Sequence, residues 1–299
     1  MKAWLAPVGS VLTTWLGAVL VTFMLVEAAP GDFLSEAQWH AALAPDTVSL
    51  LRERYGLDQP WPERAWRWMR GLVSGDWGHS LSRDLPVWPL LRERAMQTLQ
   101  LALVAQLIAW SAALALGFVA LDRPRGALAH ATRAVAVLLL CIPEVVLALV
   151  AVLLLTSIDG GTAPFWPALL ALSVATFPGT WLQVTTALAE AQRLPFVEAA
   201  ATQGVRRGTW LLGYLLPAMA PALLGYASVS FGNLLGVSLL VECVTAYPGL
   251  GPLLVDAVLA RDLHVVAGAV LLSTLLWSSG TLLADLVQRA VDPRQRLTR

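Results

Sequence analysis

Six stretches of this chain stay apolar for about twenty residues or more, and that pattern fixes the solvent the chain folds in. They fall near residues 7–28, 97–121, 133–157, 166–188, 214–241 and 264–288. A helix rises about 1.5 Å per residue, so about twenty residues cross a hydrocarbon layer roughly 30 Å thick. Backbone N–H and C=O groups find no water there, so each spanning segment must satisfy its own hydrogen bonds as a helix. Charge supports the same conclusion: 13% of residues are charged against 57% hydrophobic, where a soluble domain carries roughly 25% charged. The expectation is an all-α integral membrane protein with six transmembrane helices. Lys2 and the Val26-Glu27-Ala28 sequence give the first stretch the look of a signal peptide. Its apolar run exceeds the usual core of about 7–15 residues, which predicts a retained anchor.

The chain divides into residues 1–28, the N-terminus and first span; 29–95, a polar segment; and 96–299, a five-helix body with a loop at about 190–217. Arginines set the orientation. Arg123, Arg125, Arg133, Arg193, Arg206, Arg207, Arg289, Arg294, Arg296 and Arg299 lie on one set of short loops and at the C-terminus, against Arg261 alone on the other. The positive-inside rule places both termini in the cytoplasm. The 29–95 segment then lies outside. It holds nine of the twenty acidic residues and is long enough to escape the rule. It reads as folded: Asp46 caps a helix with Val48, Leu51 and Tyr55 on one face and Gly56 as its stop. Pro62 suits the first turn of a second helix whose apolar residues are Trp66, Met69 and Val73. Trp39, Trp61, Trp66, Trp68, Trp77 and Trp88 crowd this segment. Interfacial anchoring accounts for them better than ligand stacking.

Several chemistries are excluded. Lys2 is the only lysine, and a Walker A loop needs one to reach the nucleotide phosphates. Any ATP-driven work therefore falls to another subunit, and no cofactor is expected in this chain. His40, His79, His130 and His264 are scattered, with no H-E-x-x-H and no G-x-S-x-G, so no catalytic or metal residues are assigned. Cys141 and Cys243 lie in or beside apolar runs and read as buried, inert thiols. A formal charge of zero gives nothing for nucleic acid to bind.

Between the fourth and fifth spans stands Pro195-Phe196-Val197-Glu198-Ala199-Ala200-Ala201-Thr202-Gln203-Gly204, on the arginine-rich side. The spacing predicts a helix from about 195 to 203 ending at Gly204 in a C′ position. A span connector needs no helix, which suggests a docking element; a loop helix resting on the membrane is the plainer alternative. Tyr214, Leu216 and Pro217 follow. Further motifs flank the body. Ala29-Pro30-Gly31-Asp32, the Leu51–Pro60 stretch and Gly75-Asp76-Trp77-Gly78-His79-Ser80-Leu81 come early. Glu242, Tyr247-Pro248-Gly249-Leu250-Gly251, Asp256-Ala257, Arg261-Asp262 and Val291-Asp292-Pro293-Arg294-Gln295-Arg296 come late.

With these motifs in this order the chain resembles the permease subunits of binding-protein-dependent ABC transporters, in the dipeptide, oligopeptide and nickel class, and among them the first permease of the pair. Tyr214 departs from the usual aliphatic residue. The resemblance implies a type I-like importer fold whose Glu-Ala-Ala helix is a coupling helix seated on a cytoplasmic ATPase, with Glu198, Ala199, Ala200 and Gly204 in the contact. Arg206 and Arg207 either meet acidic ATPase residues or hold the loop at the anionic lipid surface. It also implies a second, homologous permease, two ATPase subunits that use the ATP, an extracytoplasmic solute-binding protein, and a place in the bacterial cytoplasmic membrane. Peptides, nickel chelates and related small solutes are the implied cargo.

Ionisable and polar residues at membrane depth are costly and invite a functional reading. Glu144, near the middle of the third expected span, either faces a translocation path for a cationic solute or is protonated or paired with a neighbouring helix. Ser228 and Asn233 on the fifth span add polar atoms. Gly225, Gly232 and Gly236 share a face that suits close helix packing. Glu242 and Asp285, near span ends, read as structural partners. A secondary transporter or channel driven by an ion gradient, with Glu144 as relay, is the alternative function.

Overall fold

Long apolar segments with few breakers give long helices; the computed structural model describes residues 13–25, 49–50, 52–53, 58–121, 126–159 and 164–291. Helix α1 is Thr13–Leu25, α2 Trp61–Val73, α3 Val87–Ala120 and α4 Ala127–Leu140. Then follow α5 Glu144–Asp159, α6 Phe165–Gln192, α7 Pro195–Thr202 and α8 Arg207–Thr245. Helices α9 Leu250–Leu259 and α10 Leu263–Val291 complete the series. The described β-structure is one small hairpin, β1 His79–Ser80 against β2 Leu85–Pro86, antiparallel with His79 opposite Pro86. The Asp46-capped helix and the Ala29–Asp32 and Asp292–Arg296 motifs lie outside the described residues.

Helices α3, α6, α8 and α10 are each long and apolar enough to cross a bilayer. The third expected span is not one straight helix. It breaks between α4 and α5, whose axes diverge by 107°. Proline is the cause: Pro143 has no N–H to continue the ladder, and its ring disfavours helical geometry at Ile142. The last amides of α4 turn back in short three-residue bonds, Cys141 to Leu138 and Ile142 to Leu139, and α5 starts afresh with Val146 and Leu147 bonded to the Pro143 carbonyl. Glu144 is an exposed residue in the first turn of α5, directly after the break in the third expected span. Counted as one broken span, α4 and α5 bring the total to five, and α1 contributes thirteen residues of the first expected span.

The chain forms two compact units. One comprises residues through Gln97 together with Pro248–Leu276. Its core is Val19 and Phe23 of α1, Ala65 and Trp68 of α2, and Leu263, Ala267 and Leu271 of α10. Pro62 stands in the first turn of α2, as expected. The buried residues of α2 are Ala65 and Trp68, with Met69 partly buried against the same core, while Trp66 and Val73 are 60% and 91% exposed. Trp68 lies 5.6 Å from the Phe23 ring and donates its indole N–H to the Trp77 carbonyl at 3.0 Å. Trp66 instead lies under the Arg70 guanidinium, 5.6 Å from the ring centroid.

The other unit takes Thr98–Tyr247 and the chain from Trp277 onward. Its core joins Ala113 of α3, Val184, Ala187, Leu188 and Ala191 of α6, Val197 of α7, and Leu215, Met219 and Leu223 of α8. Gly232 of α8 packs so closely on the Trp277 indole that a Cβ there would collide with it, whereas a Cβ at Gly236 would meet nothing. Both thiols, expected to be buried, are exposed, Cys141 at the α4–α5 break and Cys243 on α8, and neither is in a disulfide. An apolar neighbourhood in a membrane protein means lipid as often as protein interior, so burial did not follow from it.

Candidate functional site: the connector helix and two polar clusters

Helix α7 has a start and a stop written into its sequence. Leu194 is extended, Pro195 enters the first turn where its missing N–H costs nothing, and Glu198 brings negative charge to the positive end of the helix dipole. At the other end Gly204 adopts φ +74°. Its N–H bonds the Ala201 carbonyl and the Val205 N–H bonds the Ala200 carbonyl, both at 3.3 Å. That pair of bonds is a Schellman stop, which needs the left-handed conformation glycine adopts without penalty.

One side of α7 is anchored. Val197 and Ala200 are buried, and the Trp210 indole N–H reaches across to the Val197 carbonyl at 3.0 Å. The other side is open: Phe196, Glu198, Ala199, Ala201, Thr202, Gln203 and Gly204 are exposed, as are Arg206 and Arg207. Of the expected contact residues, Glu198, Ala199 and Gly204 stand on the free surface, while Ala200 packs inward. Sequence reading passed over Phe196, half exposed, and Trp210, which buttresses the helix. Neither carries a periodic signal in so short an element. After α7 the chain runs through a π-helical turn at Leu211–Leu215, which holds Tyr214, and then Pro217. A π turn is a usual accommodation next to a residue that cannot donate a ladder bond.

The candidate translocation residues are not gathered by hydrogen bonds among the described residues. Ser228 donates to Gly225 within its own helix at 2.7 Å. Asn233 lies on an exposed stripe of α8 with Val229, Gly236 and Leu240. The opposite stripe is packed, with Ser230 donating to Gln106 Oε1 of α3 at 3.3 Å and Glu242 wholly buried.

In the first unit the early and late motifs meet. Asp262, 0% exposed at the α9–α10 corner, accepts on Oδ2 from Ser80 Oγ at 2.6 Å, Ser82 Oγ at 2.8 Å and Ser82 N at 3.1 Å. His264 Nδ1 lies 3.0 Å from the His79 carbonyl, and Arg83 pairs with Asp256 at 3.0 Å. Gly78 at φ +85° lies against His264, where a side chain would find little room. Asp76 accepts from the Gly78 N–H at 2.8 Å, and Trp77 stacks on Trp88 at 4.9 Å. The carboxylate of Asp262 thus pins the hairpin.

Comparison with known proteins gives a consistent result. Residues 108–297 match the family described as binding-protein-dependent transport system inner membrane component. Residues 7–102 match the N-terminal part of such a membrane component. A Brucella abortus (strain 2308) chain provisionally described as a peptide transport system permease protein is 30% identical over 305 residues, covering 97% of each chain. The oligopeptide transport system permease protein AppB of Bacillus subtilis (strain 168) is 26% identical, covering 93% of this chain and 94% of AppB. Among solved structures, an inward-facing methionine ABC transporter MetNI superposes with a TM-score of 0.60 at 24% identity, over 68% of this chain and 96% of that one.

Proposed function

The chain belongs to the family of binding-protein-dependent transport system inner membrane components, as a permease subunit of an ABC importer, and from that premise we propose that α7 is its coupling helix. On this reading the exposed face of α7, with Glu198, Ala199 and Gly204, seats on a cytoplasmic ATPase, and Arg206 and Arg207 flank the contact. Val197, Ala200 and Trp210 fix α7 to the bundle, so that displacement of the helix moves α6 and α8 with it. The observation carrying the proposal is the short helix itself: opened by Pro195, stopped at Gly204, anchored on one side and bare on the other.

The remaining parts follow from the same premise. A second, homologous permease completes the pore, with the exposed α8 stripe around Asn233 turned toward the path. Two ATPases hydrolyse the ATP, and an extracytoplasmic binding protein delivers the solute. The arginine-rich loops put α7 and both termini on the cytoplasmic side of the bacterial inner membrane. Peptides are favoured over nickel chelates as cargo, because the relatives are named for peptide, oligopeptide, dipeptide and glutathione transport. Glu144, at the mouth of α5, favours solutes carrying an amine. Glu144→Gln should lower uptake of cationic peptides relative to neutral ones, and an unchanged ratio removes it from the path. The ion-gradient alternative gains nothing from an exposed Glu144.

Gly204→Asp tests the coupling role. A Cβ at 204 meets nothing within 4 Å, so the cost within the chain is the left-handed backbone alone, roughly 1–2 kcal/mol. Insertion and yield should survive while uptake falls at least about ten-fold, the equivalent of about 1.4 kcal/mol of coupling. Normal uptake with normal ATPase assembly contradicts the assignment.

A further inference from the structure

We propose that a cavity beside α7 is a binding site for an anionic phospholipid, which holds the cytoplasmic end of the bundle. The cavity, about 530 Å³, opens between the end of α3, the start of α4 and the last four turns of α6. Its chemistry changes along α6. The lining begins at Trp181, continues through Leu188 and ends at Arg193, a run of about 18 Å at 1.5 Å per residue. Trp181, Leu182 and Leu188 of α6 and Leu121 of α3 supply its apolar surface, and the Thr185 and Thr186 hydroxyls among them are turned back on the Leu182 carbonyl. At the α7 end stand Arg193 and, from α4, Arg133 and His130. Trp181 to Arg193 therefore presents an apolar wall followed by cations, over a length comparable to the upper acyl chain and headgroup of one lipid.

The charge balance selects an anion. Two guanidiniums face one carboxylate, Glu190, in the lining. Among the described residues neither Arg133 nor Arg193 makes an ion pair. His130 directs Nδ1 at the Gly126 carbonyl, 3.0 Å away, which leaves Nε2 for a ligand. The Thr185 and Thr186 hydroxyls already donate to the Leu182 carbonyl at 2.9 Å each, so the arginines are the principal donors. Basic pockets between spans on the cytoplasmic side are the usual seat of phosphate headgroups, and a soluble phosphate would make no use of the apolar wall. The proposal rests on the cytoplasmic reading of α7 only for which leaflet supplies the lipid. Its test does not involve the ATPase, so failure of the coupling role leaves the result unaffected.

The test is lipid retention by the purified full-length permease in detergent, counted by native mass spectrometry after incubation with phosphatidylglycerol or phosphatidylcholine. Wild type should prefer phosphatidylglycerol, and the preference should fall about five-fold for each arginine removed in Arg133→Gln and Arg193→Gln. Glu190→Gln should raise it, a gain that a misfolded variant does not produce. Arg67→Ala removes an exposed charge of α2, outside the cavity, and should leave the preference in place. The proposal is overturned if the arginine variants keep the wild-type preference or if Arg67→Ala abolishes it equally. It is also overturned if glycerol phosphate at equal concentration displaces the lipid, which would make the site one for a soluble anion.

Discussion

The carboxylate of Asp262, itself wholly buried, accepts three hydrogen bonds on a single oxygen, one from buried Ser80 and two from Ser82 at the surface. Bonds to a charged acceptor are worth about 1.5–3 kcal/mol, and buried donors left without one cost more than the mean. Asp262→Ala should therefore loosen the hairpin by about 2–4 kcal/mol. Amide exchange over residues 79–86 should accelerate at least ten-fold while α6 is unaffected; unchanged exchange would show that the hairpin is held by something else. At this scale much was legible in outline only. Gly204 could be placed as a helix stop because a glycine following a short helical run is a local signal. The partnership of Ser80 and Ser82 with Asp262 could not, because it joins positions about 180 residues apart and leaves no periodic mark. The break beside Glu144 escaped for a related reason: hydropathy reads straight through a proline that the backbone cannot pass.

Among the elements, α2 carries two apolar stripes, and its sequence did not say which of them packs inward. Trp61, Ala65, Trp68 and Leu72 form one apolar stripe, and Trp66, Met69 and Val73 form another. A helix near a bilayer has use for both, one against protein and one against lipid or a groove, so periodicity alone could not choose. The structure turns Trp68 inward and leaves Trp66 out. Trp68→Ala should then cost about 3–5 kcal/mol, and Trp66→Ala, at an exposed site, less than about 1 kcal/mol. Thermal unfolding of the two variants in the same detergent separates them, and equal losses would contradict the packing. Helix α7 was more legible, since Pro195, the Ala run and Gly204 each carry a local message. Which of its alanines face outward was not, because Ala199 and Ala200 are chemically identical and only the bundle distinguishes them.

At the scale of the whole molecule, the proposed function has this chain receive its energy through a surface. The family supplies the nature of the machine, and α7 is the surface we assign to it. On that assignment, force applied at α7 would pass to the bundle through Val197, Ala200 and Trp210. The direct measurement is photo-crosslinking from a benzophenone amino acid placed at Ala201, on the exposed face of α7, in the assembled transporter. The account predicts an adduct with the ATPase subunit that is absent when the same probe is placed at Trp66, a site in the other unit. An ATPase that co-purifies with the permease yet gives no adduct from Ala201, with the probe reacting only with lipid, would contradict it.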